Sequence, residues 1–269
     1  MTYNQITLNG LDLINDNYFC TISGAFDMEK TIVANDLSID GQSFARSKIN
    51  PKNLVLNIAI LRLNETNVLN VNKAIYGDNL KTIVLDTVEI GKVYGKVEVK
   101  SKARGDSINL LSISLTMFDP CWYSEDAQSI ELGATYSSGV IFSPTTSIDL
   151  WGAGIVFGTA TGAAGIVTNY GNVVSYPKIT IVGECSGMSV TNVTTSQIVH
   201  LSYPLAENDV LVADFNPETH YTTINGVREF FSNSLDLLKC VPGENVFTFA
   251  RNSTQNKKHC TISLQSRWI

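Results

Sequence analysis

Lys92–Lys100 reads KVYGKVEVK and Leu111–Met117 reads LSISLTM. In the first run Val93, Gly95, Val97 and Val99 alternate with Lys92, Lys96, Glu98 and Lys100. In the second, Leu111, Ile113, Leu115 and Met117 alternate with Ser112, Ser114 and Thr116. A period of two marks a half-buried strand, because successive side chains leave opposite faces of the backbone. The intervening SKARGDSIN has turn composition, so the two runs predict an antiparallel hairpin.

The same reading extends in both directions. Further strands are predicted at Ile6–Leu8, Leu54–Arg62, Lys81–Leu85, Lys178–Val182, Gln197–Leu201, Asp209–Phe215, Val246–Phe249 and Cys260–Leu264. Two Asn-Gly pairs, Asn9-Gly10 and Asn225-Gly226, sit between apolar runs and predict type I′ hairpin turns. Pro242-Gly243 suits a type II turn, with Asn245 as a local side-chain cap before the next strand. One short helix is predicted over Thr66–Tyr76, with Val68, Leu69, Asn72, Ile75 and Tyr76 on one face and Gly77 capping the end. Alternation stops near Phe118, a boundary is placed after MFDPCWYSEDAQ, and a Gly/Ser/Thr-rich stretch occupies Ser137–Ala164. The expected architecture is therefore all-β and mainly antiparallel with one short helix, in two domains, residues 1–124 and 125–269, joined somewhere within 124–175.

Bulk properties exclude several classes. Over 269 residues, 44% are hydrophobic and 16% charged, the composition of a chain that buries a core rather than one that stays disordered. The formal net charge is -6, with no block of Lys and Arg, so the electrostatic footprint of a nucleic-acid binder is missing. Cys20, Cys121, Cys185, Cys240 and Cys260 are odd in number and widely spaced, which suits free thiols and not a zinc site. The opening MTYNQITLNG lacks the pattern of a secretory leader. Leu150–Val167 carries no charge, but its glycines suit strand turns better than a membrane helix.

Motifs with chemical meaning are few. Gly152, Gly154 and Gly158 miss the dinucleotide fingerprint and lack its strand and helix context. Arg104-Gly105-Asp106 falls in the hairpin turn, where Gly-Asp is ordinary. His200, His220 and His259 have no metal-binding spacing, and His200 lies within a strand pattern. Asp214, Glu218 and His220 are the best candidates for a hydrolytic cluster, weighed against plain surface-loop charge. Sequons at Asn64, Asn192 and Asn252 carry no weight without a secretory route. Trp122, Trp151 and Trp268 would stack on sugars if exposed, and anchor a core or interface if buried. No cofactor or metal is expected.

Taken in order, several phrases resemble the bacteriophage distal tail protein family. ITLNGLDLINDNYF, IDGQSFARSKINPKNLVLNIAILRL, GKVYGKVEVKS and FDPCWY are similar to its N-terminal belt domain. SYPKITIVGE, DVLVADF, TINGVREFF, CVPGENVFTF and ISLQSRWI are similar to its C-terminal domain. GAGIVFGTATGAAGIV has no assigned place in that pattern. The resemblance implies a ring-forming belt-type β-domain followed by a galectin-like β-sandwich. It also implies a non-enzymatic virion protein at the distal end of a siphovirus tail, assembled in the host cytoplasm as a hexamer around a DNA channel. Its implied partners are tail-tube protein, a tail-tip or tail-associated lysin protein, and receptor-binding or side-fibre proteins, with no membrane and no sequence-specific nucleic acid. The alternative reading is a carbohydrate-binding module contacting the host cell wall. A third, a wall hydrolase, would act through Asp214, Glu218 or His220.

Overall fold

The computed structural model describes every residue except 1, 37–41, 78, 106, 108, 133–163, 218, 230–236 and 253–258. The chain divides into two units, Met1–Glu125 with Arg267–Ile269, and Asp126–Ser266. Both are built of antiparallel strands.

The first unit contains β1 (Tyr3–Leu8), β2 (Leu11–Asp12), β3 (Tyr18–Ser23), β4 (Lys30–Asp36), β5 (Gln42–Ile49), β6 (Lys52–Ile60), α1 (Glu65–Ile75), β7 (Lys81–Thr87), β8 (Gly91–Arg104), β9 (Leu110–Met117) and β10 (Trp122–Ser124). The second contains β11 (Gln128–Leu132), β12 (Ala164–Asn169), β13 (Lys178–Val182), β14 (Ser186–Asn192), β15 (Gln197–Leu201), β16 (Val210–Asp214), β17 (Tyr221–Ile224), β18 (Val227–Glu229), β19 (Gly243–Asn252) and β20 (His259–Leu264). A final strand, β21 (Arg267–Trp268), belongs to the first unit.

In the first unit the sheet runs β2-β1-β7-β8-β9-β6-β3, with β10 pairing β8 and β21, while β4 and β5 pair with each other. The predicted hairpin is present as β8 and β9, and its alternation is the core pattern: Val93, Gly95 and Val97 are buried on β8, and Leu111, Ile113, Leu115 and Met117 on β9. β8 serves two neighbours. Lys81–Thr87 pairs with its first half and β9 with its second from Glu98 onward, with a register shift between Val99 and Ser101. Such a bulge bends a strand and re-aims the side chains beyond it. Gly95 permits the fully buried Trp122 to lie against the sheet, since a Cβ there would press on Met117 and the indole. The Trp122 indole N–H donates to the Ala25 carbonyl at 2.6 Å, which satisfies its polar edge inside the core.

The helix is present, but its buried face differs from the predicted one. Val71, Ala74 and Ile75 face inward together with Asn67, whereas Leu69 and Tyr76 are exposed. Asn67 takes an inward position because its amide donates to the Arg62 carbonyl at 2.8 Å and its own carbonyl accepts from the Tyr18 hydroxyl at 3.0 Å. Asn64 is the N-cap, its side chain accepting from the Asn67 N–H at 2.7 Å. Tyr76, not Gly77, occupies the C-cap, and Gly77 follows with φ of 100°.

The second unit is a two-sheet sandwich, as the galectin-like expectation required. One sheet runs β11-β20-β13-β16-β17-β18 and the other β12-β19-β14-β15. Ile179, Ile181, Leu211 and Ile262 from the first sheet meet Val190, Val199, Leu201 and Phe247 from the second in one buried cluster. Asn192 and Asn245 are also fully buried. The closing phrase ISLQSRWI is divided: Ile262–Leu264 ends β20 in the sandwich, and Arg267-Trp268 pairs with Tyr123-Trp122 in the first unit.

Candidate functional site

The turn residues organise their hairpins directly. Asn9 and Gly10 have φ of 48° and 85°, with Leu8 opposite Leu11. Asn225 and Gly226 have φ of 51° and 81°, with Ile224 opposite Val227. Both pairs have the two positive φ angles of a type I′ turn. Asn225 also ties its hairpin to the neighbouring loop, its Oδ1 accepting from Val210 N at 2.9 Å and its Nδ2 donating to Asp209 at 2.8 Å. The Ala206 N–H, donating to Asp209 Oδ2 at 2.7 Å, and after it the Asn225 amide hold the Asp209 carboxyl below the usual carboxylate range. Gly243, after Pro242, has φ of 94°. Asn245 accepts from Val241 N at 3.0 Å and donates to the carbonyls of Val241 and Gly243 at 2.8 and 3.0 Å. Its oxygen also accepts from Asn192 Nδ2 at 3.2 Å, so β19 and β14 share one buried amide pair.

The residues weighed for hydrolysis are engaged in local structure. Both Asp214 oxygens hold the loop after β16, accepting from Asn216 N at 2.9 Å and the Thr219 hydroxyl at 2.8 Å. The His220 ring lies tilted over Phe215 at 6.4 Å. Glu218 lies outside the described residues, as do Asp106, Trp151 and the glycine motif at 152–158. Trp122 is fully buried and Trp268 packs partly buried against the first core, so neither offers a flat sugar platform. His200 sits on β15 with its side chain exposed. All five cysteines are buried and none forms a disulfide. Among the described residues no group of His, Cys, Asp and Glu could hold a metal ion, and no helix is long and apolar enough to cross a membrane.

One concavity on the first unit escaped the sequence. A cavity of about 370 Å³ opens at the C-terminal end of α1, lined by Ile75, Tyr76, Gly77, Asn79, Glu98, Val99 and Lys102. The Lys81 ammonium closes the helix end from beneath by donating to the Tyr76 carbonyl at 2.6 Å. Its parts come from α1, the following turn and the bulged middle of β8, a combination that no local pattern announces.

Residues 170–268 match the family model for the siphovirus-type tail component, C-terminal domain. The matched residues contain the phrases from Ser175 onward, short of Ile269, that carry the resemblance seen in the sequence. The whole chain is similar to the crystal structure of SPP1 Dit, described as a paradigm of the hub adsorption apparatus in phages infecting Gram-positive bacteria. The TM-score is 0.67 at 12% identity, over 98% of this chain and 99% of that one. It is also similar to chains of the phage P2 baseplate in its activated conformation, with calcium and with strontium. Each gives a TM-score of 0.52 at 11% identity over 96% of this chain, and covers 97% and 96% of the matched chains respectively. Comparison with curated proteins gives no match. The chain thus shares its mostly antiparallel β fold with a phage hub protein over nearly its whole length.

Proposed function

We propose that this chain is the hub subunit at the distal end of a siphovirus tail. Six copies close into a ring that joins the tail tube to the tail tip and to receptor-binding or side-fibre proteins, with an axial channel for DNA. The observation that carries this reading is the likeness to SPP1 Dit running through 98% of the chain, with the tail-component domain inside it. A head-to-tail interface whose rotation closes produces such a ring, and the mild overall acidity disfavours adhesion of a phosphate backbone to its wall. The protein works by contact and not by catalysis. In support, Asp214 spends both oxygens on its own loop. Assembly takes place in the reducing host cytoplasm, where five buried cysteines form no disulfide.

Native mass spectrometry and negative-stain electron microscopy of the purified chain test the ring directly. Hexameric rings that bind tail-tube protein are the expected result. A strictly monomeric protein at high concentration that also ignores tail-tube protein overturns the assignment. Zymography on host walls tests the absence of catalysis, and a cleared band from purified protein would refute it.

A further inference from the structure

We propose that the notch at the C-terminal end of α1 is a docking site for an acidic segment of a partner protein, inserted through one apolar anchor side chain. The floor is apolar: Ile75 is buried and Val99 partly so, while Gly77 offers no side chain to obstruct the mouth. Tyr76, at 75% exposed, forms one lip, and Leu80, four residues on, is also exposed. A large aromatic left in water beside a cavity of about 370 Å³ is the arrangement of an interface anchor point.

Lys102 lines the cavity, and further cations flank the lining residues along β8 and α1. Beyond the register shift at Val99/Ser101, Lys102 falls opposite Ile113 and Arg104 opposite Leu111, so the positions facing buried residues of β9 carry positive charge. Both are exposed, as are Lys100 at the shift and Lys73 in the last turn of α1. Lys102 donates to the neutral amide oxygen of Asn72 at 2.5 Å, which positions the ammonium without neutralising it. In a chain of net charge -6 this concentration of cations is a local reversal of sign. It steers acidic partners and repels copies of other basic surfaces.

The lining itself includes the end of α1, whose C-terminus carries partial negative charge, and the exposed Glu98. An anion is therefore disfavoured in the cavity and favoured beside the flanking cations, so the apolar side chain enters and the carboxylates flank it. A phosphate chain, with no apolar group to insert, fits this arrangement poorly. The chemistry of the notch stands whether or not the chain closes into a ring.

The test uses the full chain and a fluorescein-labelled peptide of Asp and Glu flanking a central Phe, followed by fluorescence anisotropy. Binding is expected to weaken with salt and to fall by about tenfold in Tyr76→Ser and in Lys102→Glu. Both side chains are exposed, and an unchanged unfolding midpoint verifies that the variants fold. Lys92→Glu makes the same charge change at the other end of β8 and is expected to leave binding unaltered. No binding, equal binding of a Lys-flanked peptide, or equal loss in Lys92→Glu overturns the proposal. Self-association abolished by Tyr76→Ser would also overturn it, making a second copy the occupant.

Discussion

Arg267 and Asp119, 148 residues apart, meet with Nη2 at 3.4 Å from Oδ1, and each side chain is only 14% exposed. The guanidinium also lies over the Tyr123 ring at 5.2 Å, and the Tyr123 hydroxyl donates to the second Asp119 oxygen. Register agrees with chemistry: Tyr123 is the strand partner of Arg267 and Trp122 that of Trp268. The last residues of the chain thereby complete the first unit after the second has been built. Removing one member leaves the other charge partly desolvated, so Arg267→Ala is expected to cost about 2 kcal/mol. Urea unfolding, with Trp122 fluorescence as the probe, measures it. An unchanged midpoint would mean that β21 contributes nothing to the fold.

Gly24 and Gly10 separate two causes of glycine dependence. Both have positive φ, 82° and 85°. A Cβ on Gly10 meets open space, whereas one on Gly24 presses on the Asn53 backbone carbonyl. Gly10→Ala therefore carries only the left-handed backbone cost of about 1 kcal/mol. Gly24→Ala adds an overpacking cost against a central strand and is expected to lose about 3 kcal/mol. Equal losses in thermal unfolding would show that the β3–β4 connection yields and that the carbonyl contact has no energetic weight.

Which elements were readable follows from what their residues do. The β8–β9 hairpin was legible because Val93, Val97, Ile113 and Leu115 are apolar wherever the backbone points inward. β3 and β14 were not read as strands: in YFCTIS the inward Tyr18 and Cys20 are weakly hydrophobic while the large Phe19 faces outward, and in SGMSVTN the inward series Met188, Val190 ends in buried Asn192. The helix was found and its face misread for the same reason: Asn67 is buried through specific hydrogen bonds that hydrophobicity does not register. β21 is two residues long and exists through a partner far away in sequence. The notch depends on where β8 shifts register, since alternation alone would have continued the core face through Ser101 and Ala103 and not through Lys102.

Asn192 and Asn245 form the polar centre of the sandwich. Asn192 donates to the Lys239 carbonyl at 2.7 Å as well as to Asn245, and its oxygen accepts from Thr194 N at 3.1 Å. Asn245→Ala leaves the partly buried Val241 N–H, two carbonyls and the buried Asn192 amide without their partner, at a cost of about 2 kcal/mol. Asn192→Ala costs a similar amount. The double variant is expected to lose less than the two single losses added, because the shared bond is removed once. Strict additivity in a double-mutant cycle would show that the two amides act independently.

Burial pushes the thiols of Cys20, Cys121, Cys240 and Cys260 from the usual 9.0 up to about 12. In the unfolded chain these groups ionise near 9.0, while in the folded chain they hold their protons to about 12. The unfolded state therefore binds fewer protons across that window, and stability, complete below pH 9, falls as pH rises through it. Lys52 acts in the opposite sense: burial lowers its pKa although Cys121, Asp27 and Asp119 raise it, so its charge costs most at lower pH. Four thiols against one ammonium leave a net loss on the alkaline side. The expected outcome is a urea midpoint that declines steadily above pH 9, together with thiols that react with a disulfide reagent in urea but hardly at all in the native protein. Rapid native labelling at pH 8, or a midpoint independent of pH between 9 and 11, would contradict both the burial and its linkage.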